Sequence, residues 1–130
     1  MPLVIGVLLA LVVSLLAWAA GFDRDRSFYP TVLCVVASYY VLFAAMGGSF
    51  SALVAESATL TVFALVALLG FKSNLWWVAA ALAGHGAFDF VHGFVIQNAG
   101  VPVWWPPFCA AYDVAAGGGL AVLLRSRRLR

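Results

Sequence analysis

LWWVAAALAGHGAFDFVHGFVI, residues 75–96, decides how this chain is read. The run is apolar and long enough to cross a bilayer, which takes about 20 residues of helix. Yet it holds both histidines of the protein and one of its five acidic residues. At about 100° per residue on an α-helix, His85, Asp89 and His92 fall within about 60° of one another. They form one polar stripe. An ionisable group inside a membrane costs several kcal/mol unless it is paired or meets water, so the stripe is a candidate site.

The whole chain fits that setting. It is 65% hydrophobic and 9% charged, with a mean hydropathy of +1.07; a soluble domain runs at about 45–50% apolar and about 25% charged. The expectation is an all-α, polytopic integral membrane protein forming a single transmembrane domain over residues 1–130. The net charge of +2 does not point to nucleic acid, because the basic residues sit at segment ends and make no patch beside aromatics. Cys34 and Cys109 fall early in the second and fifth apolar runs. Alternating spans put those starts on opposite sides, so neither a disulfide nor a zinc ribbon is expected.

Five helices are expected, at residues 3–20, 29–46, 50–71, 75–96 and 108–124. No Lys or Arg precedes the first, so it reads as a retained helix despite a small-residue pattern at Ala17 and Ala19. Residues 21–27 (GFDRDRS) break the chain, Pro30 suits a first helical turn, and Gly47, Gly48 and Ser49 make a tight turn. Residues 97–107 (QNAGVPVWWPP) look too broken by Gly and Pro to be helical. With five spans, Arg24, Arg26, Lys72, Arg125, Arg127, Arg128 and Arg130 all fall on one side. The positive-inside rule then gives an outside N-terminus and a cytoplasmic C-terminus, in the inner membrane of a prokaryote. Trp18, Trp76 and Trp77 fall at one interface, and Trp104 and Trp105 at the other.

Depth follows from the rise of about 1.5 Å per residue. From the basic side, His85 lies about 15 Å up, Asp113 about 16 Å, Asp89 and Glu56 about 21 Å, and His92 about 26 Å. Tyr39, Tyr40 and Tyr112 reach similar heights. Glu56 and Asp89 are therefore expected within one water of each other, in a polar pocket opening outward beneath residues 97–107. The small residues of the fifth helix (Ala115 to Gly119) suit close packing. On the fourth, Ala79, Ala83 and Ala87 form a small face roughly opposite the polar stripe.

The chemistry expected is acid–base work on, or binding of, a small apolar molecule of lipid or isoprenoid type. An isomerase, cyclase or hydrolase would suit such a site. Asp89 and Glu56 are the candidate acid/base pair, His85 their proton partner, and Asp113 and His92 supporting groups. Tyr39, Tyr40, Tyr112, Asn98, Trp104 and Trp105 are candidate substrate contacts. The reading favours a metal-free network; the alternative is a divalent ion on His85, Asp89, Glu56 and Asp113, with His92 about a turn too high. A proton- or ion-coupled transporter, which at this size would have to be a homo-oligomer, and an accessory subunit of a larger complex are the rival classes. Partners expected are the lipid bilayer and a small apolar ligand.

Overall fold

A computed structural model describes residues 1–129, so Arg130, the last of the C-terminal arginines, lies outside the described residues. Five helices follow one another: α1 (Pro2–Ala20), α2 (Phe28–Gly47), α3 (Phe50–Lys72), α4 (Trp76–Val95) and α5 (Trp105–Arg125). Each is long and apolar enough to cross a membrane. Outward-facing leucines, valines and phenylalanines cover α1 and α3 in particular, as suits helices whose solvent is hydrocarbon.

The turns follow from their residues. Gly21 and Gly48 end α1 and α2 in the left-handed conformation, φ 84° and 72°, which glycine adopts without steric cost. Ser49 then caps α3, its Oγ accepting from the Ala52 N–H at 3.2 Å. Helix α5 begins three residues earlier than its sequence suggests. Pro106 and Pro107 stand in its first turn, where a missing N–H breaks no intrahelical bond, so they open the helix instead of preventing it.

Helices α4 and α5 run antiparallel and almost touch. A Cβ on Gly86 would lie 3.0 Å from the Ala110 carbonyl oxygen and 2.8 Å from Val114 Cγ2. One on Gly117 would lie 3.1 Å from the Ala79 oxygen and 3.3 Å from the Ala83 nitrogen. The small face expected on α4 is only partly used this way, since the Ala83 and Ala87 side chains are exposed. The buried face of α4 instead carries Val78, Ala79, Leu82, His85, Gly86, Asp89 and His92. The polar stripe thus points inward, with the core.

That core has two halves. Near the basic ends of the helices, Leu33, Leu75, Val78, Leu82 and Leu120 are apolar and fully enclosed. Arg128 closes this end, with Nε 2.8 Å from Asp23 Oδ2 and its guanidinium 5.2 Å from the centre of the Trp18 ring. Toward the other end, the enclosed volume is filled by Glu56, His85, Asp89, His92, Asp113 and Tyr40, each 2% exposed or less. Trp105, expected at an interface, is 9% exposed and packs edge-on against Tyr39 and Phe43; Trp104 beside it remains exposed.

Candidate functional site

Two histidine–carboxylate pairs dominate the buried polar half. His85 Nδ1 lies 2.6 Å from Asp113 Oδ2, joining α4 to α5. His92 Nε2 lies 2.6 Å from Glu56 Oε2, joining α4 to α3. Both distances are those of strong, charge-assisted bonds. The close approach at Gly86 allows the first, because it brings the α5 backbone within reach of a side chain one residue away on α4.

Tyr40 on α2 stands between the two pairs, its ring near both imidazoles. Its hydroxyl donates to Asp89 Oδ1 at 2.6 Å, and its ring stacks on His92 at 3.8 Å between centroids and 11° between planes. Asp89 Oδ2 is 3.6 Å from His85 Nδ1, too long for a hydrogen bond. The Phe63 and Phe88 rings stand edge-on against His85 and His92, walling the imidazoles with apolar surface. Asn98, beyond the end of α4, reaches back into the bundle. Its Nδ2 donates to Glu56 Oε2 at 2.7 Å and to the Tyr40 carbonyl at 3.1 Å, so residues 97–104 are pinned over the network.

This arrangement differs from the sequence reading in three ways. Glu56 is bonded to His92 and Asn98, and the hydrogen bond to Asp89 comes from Tyr40, partners that the sequence reading does not name. Depth alone does not name partners, and the Tyr40 hydroxyl stands against Asp89. His92, expected as a supporting group and as too high only for a shared ion, is the direct partner of Glu56. Cys109 was assigned no role, yet its Sγ lies 3.5 Å from Asp113 Oδ2.

The set of potential metal ligands changes accordingly. His85, Asp89, Cys109 and Asp113 each offer one ligand atom, and these atoms lie within 4.8 Å of one another. Cys109 takes the place expected for Glu56. A buried group of this kind could hold a metal ion. Cys109 and Asp113 stand four residues apart on α5, as do His85 and Asp89 on α4. That matching spacing was the available signal for Cys109.

Beside the network lies a groove of about 310 Å³ between α1, α2 and α5. Val36, Tyr39, Trp105, Phe108, Cys109 and Tyr112 line it, among others. It therefore gathers three of the expected substrate contacts, Tyr39, Trp105 and Tyr112. Tyr40 and Asn98 belong to the polar network instead, and exposed Trp104 lines neither. The indole N–H of Trp105 is buried without an acceptor. Cys109 belongs to both groove and network.

No protein-family model, curated protein or solved structure matches this chain.

Proposed function

We propose that this is a multi-pass inner-membrane protein of a prokaryote, N-terminus outside and C-terminus cytoplasmic, that binds a small apolar molecule drawn from the bilayer and acts on it by acid–base chemistry. The observation that carries the reading is the shared wall. A carboxylate oxygen of Asp89 is within 4.8 Å of the Cys109 thiol, and Cys109 lines an apolar groove on the flank of the bundle. A lipid or isoprenoid lying in that groove has its body against Tyr39, Phe108 and Tyr112 and its polar atom within reach of the Trp105 N–H. Asp89, whose Oδ2 carries no hydrogen bond, exchanges the proton with the substrate. His85 with Asp113 supports it on one side. On the other, Tyr40 bonds Asp89 and stacks on His92, which with Glu56 forms a second proton-holding pair beneath the pinned loop. The charge pattern supports the orientation: Arg24, Arg26, Lys72, Arg125, Arg127 and Arg128 gather at one end of the helices.

The binding half of this reading is tested by photoaffinity labelling. Full-length protein in lipid nanodiscs is irradiated with a diazirine-bearing isoprenoid alcohol of fifteen carbons, and the labelled peptides are identified by mass spectrometry. Labelling is expected to concentrate on residues 105–112, to be competed by the unmodified alcohol, and to fall at least tenfold when Val36→Trp fills the groove. Labelling spread evenly over the exposed faces of α1 and α3, with no competition, would count against it.

A further inference from the structure

His85, Asp89, Cys109 and Asp113 are two matched pairs on adjoining antiparallel helices. From α4 come an imidazole and a carboxylate, from α5 a thiol and a carboxylate, and all four residues are 2% exposed or less. A second observation points to something these groups lack. Asp89 Oδ2 and Asp113 Oδ1 are buried with no hydrogen-bond partner. An acceptor left bare in an apolar bundle is costly, and water or protein normally satisfies it. Asp113 Oδ2, on the same carboxylate as the orphaned Oδ1, meets both the His85 imidazole and the Cys109 thiol, and an oxygen of Asp89 falls in the same cluster.

We propose that His85 Nδ1, Asp89, Cys109 Sγ and Asp113 form a binding site for one divalent transition-metal ion of zinc type. In a tetrahedral site with bonds of about 2.0–2.3 Å, ligand atoms stand about 3.3–3.8 Å apart. The observed cluster, within 4.8 Å, reaches that spacing by small side-chain rotations. The 2.6 Å contact between His85 and Asp113 must open as the ion replaces the proton between them. The donor set selects the metal. A thiolate and an imidazole favour zinc, iron(II) or cobalt(II) over magnesium and calcium, which want oxygen alone. Binding releases the Cys109 thiol proton and the proton held between His85 and Asp113, so a thiolate, two carboxylates and a neutral imidazole surround the dication with a net charge of about −1. Because Cys109 also lines the groove, the ion sits behind the wall that a groove-bound molecule touches. Glu56 and His92 lie outside the set and stay free to handle protons. A bound ion takes Asp89 out of proton exchange, so the site goes beyond the acid–base reading, does not depend on it and is tested without substrate.

The test is cobalt titration of chelator-treated, full-length protein in detergent, with no substrate present. One Co²⁺ per chain is expected, with a thiolate-to-cobalt charge-transfer absorption in the near ultraviolet. Cys109→Ser should abolish that absorption, and Asp89→Asn should weaken affinity at least tenfold. Cys34→Ser and Glu56→Gln should leave both unchanged. Circular dichroism and gel filtration confirm that each variant is folded. Wild-type protein without the absorption, or an absorption that survives Cys109→Ser or disappears with Cys34→Ser, overturns the site. Photolabelling of the groove stands or falls separately.

Discussion

Replacing His92 by leucine removes the shortest bond that Glu56 makes, and the structure allows the consequence to be worked through. The two side chains meet at 2.6 Å with side-chain exposures of 3% and 0%. Without His92, Glu56 Oε2 keeps only the Asn98 amide, and Oε1 has no partner to begin with. For a water-soluble protein, stranding a buried charge costs about 3–5 kcal/mol. In a bilayer the unfolded helices also find partners, and measured intramembrane hydrogen bonds average about 0.6 and reach about 1.7 kcal/mol. A short, fully enclosed, charge-assisted bond belongs at the upper end, so its coupling energy is expected to be about 1.5 kcal/mol. His92→Leu alone should cost more, about 2–3 kcal/mol, because the Tyr40 stack contributes a further 0.5–1.5 or so. Stacking is lost with or without Glu56, so it cancels in a double-mutant cycle. The assay is reversible unfolding in mixed micelles, titrated with sodium dodecyl sulfate, for wild type, Glu56→Leu, His92→Leu and the double variant. The double variant should be less destabilised than the sum of the singles by about 1.5 kcal/mol. Additivity within about 0.3 kcal/mol would refute the argument.

Two further outcomes follow from the fold. Gly86→Leu puts a side chain where only a bare Cα fits against Ala110 and Val114, so it should destabilise the bundle by about 1–3 kcal/mol in the same unfolding assay, whereas Gly84→Leu, facing open space, should not. A reporter active only in the cytoplasm should be active when fused after Arg130 and silent when inserted between Asn98 and Gly100; the opposite pattern would reverse the orientation.

Much of the architecture was legible because five apolar runs, each long enough to cross a membrane, are separated by short breaks. Runs of apolar residues broken by GFDRDRS, a glycine turn and Lys72-Ser73-Asn74 mark four helices almost to the residue. The start of α5 was missed because Pro106 and Pro107 read as a break, although a first helical turn accepts proline. The stripe of His85, Asp89 and His92 was legible for a similar reason: a period of 3.6 residues fixes which side chains share a face. Pairing between helices was not. Depth along the membrane normal is one coordinate of three, and it carried neither the rotation that turns Tyr40 onto Asp89 nor the reach that takes Glu56 to His92. Cys109 escaped because a lone thiol was weighed only for disulfides and zinc ribbons, not against the residue four positions on.

The central claim is that this buried network moves protons on an apolar molecule, and deuterium exchange addresses it most directly. Full-length protein in nanodiscs is incubated in D₂O with the apolar extract of its source membranes, and the extract is then searched by mass spectrometry for carbon-bound deuterium. One compound should gain deuterium in a protein-dependent way. Glu56→Gln and Asp89→Asn, each folded, should slow that gain by a factor of about 100 or more, the scale of a lost general acid or base. Deuterium gained as fast with either variant as with wild type, or gained by no compound at all, would contradict the account.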